Sequence, residues 1–460
     1  MSPIEILKSK IGVRFGKNKT EELCRLAFEI GKRESLELNQ VLEGALSHGE
    51  NSFEKVTFGQ LKKTLLKRRY PNFSEEDLKR VFLAPLNIDA SGSRAVPQDF
   101  KFVPDEIYVE KKAASYPLVD RVRGAWPEVP IQMIDSLNDL RKPKSEWLKD
   151  FGKKRLAVSV ENFDLVKPCP CTASTLSCNY YLLNIGYGCP FDCSYCYLQE
   201  YQNLPAIVLP VNVEDYLAQM GRSLDLNPKQ FTRIGTGEYA DSLALDFVTE
   251  YTKTLVPFFA SKNVLLELKT KSDCVQNLIG LNHGGKTVIA WSVNPARFAK
   301  EEFNTAPIVK RLEAARLCER DGYGTAFHFD PIFDTQNWQS DYEELIGQIF
   351  SHVHKSIKWF SLGTLRYHRD LRRVAEFRHP QSEIFLHEER LDPMDDKMRY
   401  VTERRIEVYR KMVGWIKKID SKIPIYLCME SPAVWKAVFE GKPYTGRIDE
   451  WISCGSSSKS

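Results

Sequence analysis

Three cysteines stand within eight residues in Gly188-Cys189-Pro190-Phe191-Asp192-Cys193-Ser194-Tyr195-Cys196-Tyr197-Leu198-Gln199, spaced C-x-x-x-C-x-x-C. Three thiolates on one short loop can ligate three irons of a [4Fe–4S] cube and leave the fourth open. Clusters used only to pass electrons recruit a fourth cysteine. An open iron at the end of a strand is a place to bind a reactive cofactor. Zinc is the other metal such a loop could serve. It asks for four N or S ligands, and no second C-x-x-C or H-x-x-x-H pair occurs in the chain.

The elements around this loop set where it lies. It follows the apolar run Tyr180-Tyr181-Leu182-Leu183-Asn184-Ile185, of strand length. Further strand-length runs occur at Phe231–Gly235, Val264–Leu268, Thr287–Val293, Thr325–Phe329, Trp359–Leu362 and Ile425–Met429. Helical stretches separate them at Val213–Gly221, Ala244–Phe259, Ile308–Asp321, Tyr342–His354, Asp396–Ile419 and Ser431–Phe439. Short buried strands alternating with helices predict an α/β fold with a parallel sheet. In β/α barrels chemistry sits at the carboxyl ends of the strands, and the cysteine loop follows the first of them.

Residues 1–86 read as a helical N-terminal domain: Leu23, Leu26, Ala27 and Ile30 form a helical stripe, and so do Leu61, Leu65 and Leu66. Ser74 before Glu75, Glu76 and Asp77 reads as an N-cap with an acidic first turn. Lys62, Lys63, Lys67, Arg68 and Arg69 make the second helix basic, either a solvated face or a contact for phosphate. Residues 87–105 read as a linker, 106–445 as the catalytic domain and 446–460 as a tail.

Composition narrows the class. With 460 residues there is ample core, and a hydrophobic fraction of 43% is that of a soluble globular protein. The net charge of +4 neither marks nor opposes a polyanionic partner. The amino terminus lacks the apolar core of a signal peptide and no run is long enough to span a membrane, so a cytoplasmic protein without a membrane partner is expected. Eleven cysteines in a reducing compartment read as metal or redox chemistry rather than disulfides. Besides the loop, Cys169-Pro170-Cys171 and Cys178 stand just before the first strand, as ligands of a second metal site, a hydrogen donor or plain thiols.

The spacing, with an aromatic residue after the third cysteine, resembles the cluster loop of the radical S-adenosylmethionine (radical-SAM) superfamily. The string Cys193-Ser194-Tyr195-Cys196-Tyr197-Leu198-Gln199 is similar to that of the spore photoproduct lyase family of DNA-repair enzymes. The resemblance implies a partial (β/α)6 barrel and a [4Fe–4S] cluster on Cys189, Cys193 and Cys196. It further implies S-adenosylmethionine on the open iron, split by one electron to a 5′-deoxyadenosyl radical. An electron donor such as flavodoxin or ferredoxin and a nucleic-acid substrate, DNA first, complete the implied partners. Gly235-Thr236-Gly237-Glu238 resembles the superfamily's Gly-Gly-Glu element, implying cofactor contacts at Gly235, Gly237 and Glu238. Lys271, Ser292, Asn294 and Arg366 match polar positions that line the family's cofactor site, and Tyr195 and Tyr197 match its tyrosines. Arg366, His368, Arg369, Arg372 and Arg373 form a candidate basic rim for a nucleic-acid backbone.

One position departs from the family. Its members carry, after the second strand, a cysteine that returns a hydrogen atom to the substrate radical; alignment places Glu238 there. A carboxylic O–H bond is much stronger than a thiol S–H bond, so the catalytic candidates reduce to Tyr195, Tyr197 and Glu238. Three functions stay open: lyase chemistry on nucleic acid, radical chemistry on RNA, protein or a metabolite, and a cluster or zinc protein without radical chemistry.

Overall fold

The computed structural model describes residues 8, 11, 15–46, 56–81, 83, 101–142, 154–161, 166–171, 174–202, 204–226, 233–379, 382–387, 389–392 and 395–440. Most of the expected linker, 87–100, and the whole of the expected tail, 446–460, lie outside them. The chain divides into two compact units. One comprises 1–94, 333–336 and 365–405; the other comprises 95–332, 337–364 and 406–460.

In the first unit, helices Lys17–Glu34, Leu38–Leu46, Phe58–Arg69 and Glu75–Lys79 bury the predicted stripes, with Leu23, Leu26, Ala27, Ile30, Leu61 and Leu65 in the core. Thr57 and Gln60 form a capping box on the third helix, and Ser74 caps the fourth. The basic helix is a paired surface: Lys62 meets Glu22, Lys63 and Lys67 meet Glu75, and Arg68 meets Glu34.

Residues 365–405 add to that unit helix Arg369–Arg378 and a small antiparallel sheet of Arg366–Tyr367, Met398–Tyr400 and Glu389–Leu391. The expected helix from Asp396 therefore starts only at Thr402, because Met398–Tyr400 is taken up by strand pairing. Buried charges join this segment to the N-terminal helices. Arg25 grips Glu376 at 2.8 and 2.5 Å, while Glu29 lies between Arg25, Arg69 and Arg372. Arg372 is thus no rim residue; 2% exposed, it is consumed by Glu29 and Glu376. Buried charges persist only when paired in this way.

Among the described residues the second unit holds two large sheets and a two-stranded one, Asp192–Cys193 with Glu302–Phe303. A four-stranded parallel sheet, ordered Ile131–Ile134, Glu106–Glu110, Arg155–Ser159 and Ile207–Pro210, went unseen in the sequence because its strands are short and its last two are separated by strands of the larger sheet. The larger sheet has eight strands: β1 (Val166–Pro168), β2 (Tyr180–Leu183), β3 (Arg233–Gly235), β4 (Leu265–Thr270), β5 (Thr287–Ser292), β6 (Gly324–Ile332), β7 (Ile357–Thr364) and β8 (Ile425–Leu427). Spatial order follows sequence order. β1 pairs antiparallel with β2, and β2 through β8 are parallel. Those seven parallel strands fall on the seven predicted runs. Their connecting helices include Asp246–Thr249 with Tyr251–Ala260, Ile308–Arg320 and Trp338–His352. This is a partial β/α barrel with residues such as Leu266, Leu268, Ile289, Phe327 and Phe360 fully buried.

Candidate functional site

The cysteine loop leaves the carboxyl end of β2. Gly188 opens it at φ +81, where a Cβ would come within 2.9 Å of Gln202 Nε2 and 3.1 Å of Ile207 Cα. Its N–H donates to the Tyr239 carbonyl at 2.8 Å. Asp192–Cys193 pairs antiparallel with Glu302–Phe303, placing Glu302 opposite Cys193. Ser194 N donates to the Glu301 carbonyl at 2.9 Å, and its hydroxyl donates to the Glu301 carboxylate at 2.5 Å. The Gln199 amide donates to the carbonyls of Cys193 and Ser194, both at 3.0 Å. The loop is thereby held from both sides, with its three thiols as candidate metal donors.

Burial first, then Asp241 and the other two cysteines, push the Cys189 thiol well above its ordinary value. Burial likewise lifts Cys193, with Glu302 and Cys196 adding to it against Lys271 and Arg311. Two desolvated thiols, each within electrostatic range of the other and of Cys196, disfavour bare thiolates at Cys189 and Cys193. An iron centre would reverse that balance, and this donor set therefore fits a cluster. Among the described residues no three Cys, His, Asp or Glu side chains converge tightly enough for a single ion. A cube, with each thiolate on its own iron, asks for no such convergence.

Glu302 is the brace behind the loop. Its carboxylate takes Arg311 Nη2 at 2.7 Å, Asn294 Nδ2 at 3.0 Å and the Tyr195 hydroxyl. Burial opposes its ionisation, yet Arg311, Lys271, Asn294 and Tyr195 together hold it down to about 2. Arg311 also donates to the Ser292 carbonyl at 2.8 Å, tying the helix after β5 to the strand end. Sequence reasoning missed Glu301, Glu302 and Arg311. They lie on a connector and a helix with no motif, and only folding brings them to the cysteines.

The predicted cofactor residues cluster in part. Lys271 Nζ donates to Ser292 Oγ at 2.8 Å and lies 5.6 Å from the Tyr195 ring centroid. Asn294 accepts from the Tyr342 hydroxyl at 2.7 Å while donating to Glu302, so it serves the brace. The Tyr197 hydroxyl donates to the Glu238 carbonyl. The Glu238 carboxyl is lifted by burial, with Lys167 acting against the shift, and its Oε2 is buried without a hydrogen-bond partner. At Gly235 and Gly237 neighbouring side chains fill the space that a Cβ would take. A Cβ on Gly235 would lie 1.7 Å from the Tyr180 hydroxyl oxygen, and one on Gly237 would lie 2.5 Å from Lys269 Cβ. Asp241 was passed over. Its carboxylate accepts from Thr270 Oγ1, Lys271 N, Leu243 N and Ala244 N at 2.7–3.0 Å, fixing the turns after β3 and β4. Arg366, His368, Arg369 and Arg373 belong to the first unit.

A family model, spore photoproduct lyase, matches residues 102–417. The chain belongs to the spore photoproduct lyase family. Spore photoproduct lyase of Bacillus subtilis (strain 168) is 28% identical over 303 residues, 63% of this chain and 86% of that protein. The protein of the same name from Geobacillus sp. (strain Y412MC61) is 30% identical over 302 residues, 62% of this chain and 86% of its own. A double mutant of spore photoproduct lyase with bound AdoMet and dinucleoside spore photoproduct superposes with a TM-score of 0.62. It is 25% identical, covering 71% of this chain and 99% of the other. A further spore photoproduct lyase structure, complexed with dinucleoside spore photoproduct, matches to the same extent. The fold is thus that of a radical-SAM lyase. The cysteine loop, the brace and every candidate site residue lie inside the matched stretch, whereas the helices from Lys17 to Lys79 precede it.

Proposed function

We propose that this chain is a radical-SAM lyase that acts on DNA carrying spore photoproduct. Cys189, Cys193 and Cys196 would hold a [4Fe–4S] cluster, with S-adenosylmethionine bound beside it. The observation that carries this reading is a three-thiol loop at the carboxyl end of the first parallel strand, braced by Glu302 and Arg311, in a family-matched barrel. Bound there, cluster and cofactor supply a carbon-centred radical by one-electron cleavage of a C–S bond.

The chain's own residues bind, orient and exclude water. Lys271, paired with Ser292 beside Tyr195, offers an ammonium to the cofactor's carboxylate. Glu238, half-buried with a free carboxyl oxygen, offers an acceptor to the cofactor's ammonium. Tyr197, held at the Glu238 carbonyl, keeps its phenol directly beside the cluster ligand Cys196. Exposed Arg369 and Arg373 of the first unit suit a phosphate backbone. Among the described residues no helix is long and apolar enough to cross a membrane. We place the reaction in the cytoplasm, with flavodoxin or ferredoxin as electron donor.

The test is anaerobic reconstitution followed by reaction with dinucleoside spore photoproduct, S-adenosylmethionine and a low-potential reductant. Release of the intact thymidine dinucleotide together with 5′-deoxyadenosine is expected. Formation of 5′-deoxyadenosine without any change in the photoproduct would leave radical chemistry intact and reassign the substrate.

A further inference from the structure

Beside the cysteine loop the second unit carries two contacting pairs of tyrosines, Tyr197 with Tyr201 and Tyr187 with Tyr239. Tyr201 ends the short helix Leu198–Tyr201, one turn beyond the loop, and is 50% exposed. It packs edge-on against Tyr197, with ring centroids 5.8 Å apart. Tyr197 turns its hydroxyl inward to the Glu238 carbonyl, which brings the next residue, Tyr239, alongside. Tyr239 and Tyr187 lie 5.2 Å apart with their planes 31° from parallel, and the Tyr201 hydroxyl is within electrostatic range of Tyr239. Backbone bonds fix the second pair. Gly188 N donates to the Tyr239 carbonyl at 2.8 Å, and Tyr187 exchanges bonds with Val208 at 3.1 and 2.7 Å.

A cation completes the face. Lys167 stands on β1, the edge strand of the large sheet, opposite Leu182 near the carboxyl end of β2. Its Nζ lies 4.9 Å from the Tyr239 ring centroid and donates to the Tyr239 hydroxyl at 3.4 Å. Among the described residues no carboxylate pairs with Lys167 in a salt bridge. A single exposed tyrosine is ordinary surface. Here two pairs and an ammonium are fixed side by side at the ends of β2 and β3, where the loops carry Cys189, Cys193, Cys196 and Glu238. Aromatic faces stack on any base, and a lysine meets a phosphate as a point charge. An acidic protein partner would ask for several cations, whereas a nucleotide asks for rings and one.

We propose that Tyr201, Tyr239 and Lys167 form a subsite for an undamaged nucleotide next to the lesion, its base on the tyrosine rings and its phosphate on the ammonium. The proposal rests on the DNA reading above and extends it from the lesion to the strand that carries it. Stacking uses the ring and not the hydroxyl, so the subsite accepts any base and reads no sequence. Its task is to hold the strand while the damaged pair reaches the cofactor.

The experiment follows binding of a labelled single-stranded oligothymidylate to reconstituted full-length protein by fluorescence anisotropy, beside a strand of equal length that lacks bases. Tyr201→Ala is expected to weaken oligothymidylate binding about tenfold, and Tyr201→Phe to bind as the parent does. The baseless strand should bind the parent and Tyr201→Ala alike. Lys167→Ala is expected to weaken both strands and to lower the slope of log affinity against log salt by about 0.7. Phe247→Ala, at another half-exposed aromatic of the same unit, should leave binding unchanged. Equal loss on both strands in Tyr201→Ala would mark a structural effect and overturn the subsite. Parental binding in Tyr201→Ala, or an unaltered salt slope in Lys167→Ala, would overturn it too. So would intact strand binding in Tyr201→Ala with dinucleoside turnover slowed under flavodoxin but not under dithionite, which assigns the face to the electron donor. The lyase reading fails separately. Strand binding that responds to Tyr201 and Lys167 while no photoproduct is converted keeps the subsite and reassigns the reaction. Conversion of the photoproduct with strand binding indifferent to both residues removes the subsite alone.

Discussion

Glu302 pairs through its backbone with Cys193 while its carboxylate takes Arg311 at 2.7 Å, so one residue couples a cluster-loop cysteine to a buried cation. Both partners are almost wholly enclosed, at 3% and 4% side-chain exposure. Removing one leaves the other as an unpaired buried charge, which costs about 3–5 kcal/mol. Arg311→Met is therefore expected to lower unfolding free energy by about that amount in urea titration. The same variant should retain less iron after reconstitution. Unchanged iron retention would show that the brace serves the fold alone.

Iron content tests the donor set directly. Wild-type protein reconstituted without oxygen is expected to bind about four irons per chain. Replacing Cys189, Cys193 and Cys196 together by alanine should abolish the brown absorbance and the bound iron. Replacing Cys169 and Cys171 should leave both in place.

Gly235 is required by a neighbouring side chain. A methyl group there would meet the Tyr180 hydroxyl oxygen at 1.7 Å. Gly235→Ala is expected to destabilise by about 1–3 kcal/mol through overpacking, and Tyr180→Phe in the same chain should recover part of it. Thermal unfolding of the single and double variants is the measurement. A Gly235→Ala protein as stable as the parent would show that Tyr180 moves aside without cost.

Stability should depend on pH in opposite senses in the two units. Glu302 is depressed to about 2 despite burial, because Arg311 and Lys271 favour its charge. Its contribution is present above the ordinary carboxyl range and is lost as pH falls toward about 2. Glu389 is raised to about 7 by burial, which outweighs Arg69 and Arg372. Its protonated form is native, so the contribution is present below the ordinary range and lost as pH rises through about 7. Between pH ~5 and ~8 the first unit is expected to weaken, and Glu389→Gln should flatten that slope. Hydrogen exchange of the helices from Lys17 to Arg69 reads it, and an unaltered slope in Glu389→Gln would assign the effect elsewhere.

The sequence by itself determined the cysteine triad and the seven parallel strands, because ligand spacing and strand-length apolar runs are local properties of the chain. It also marked Lys271 and Ser292, which the barrel brings to within 2.8 Å of each other. Tertiary structure decided what supports them. Glu302 and Arg311 carry no periodic or motif signal, and their role exists only because Glu302–Phe303 pairs with Asp192–Cys193. It likewise turned Arg372 from a rim candidate into the partner of Glu29, more than 300 residues away. Spacing reveals groups that act together along the chain; a buried charge is defined by the partner that folding brings to it.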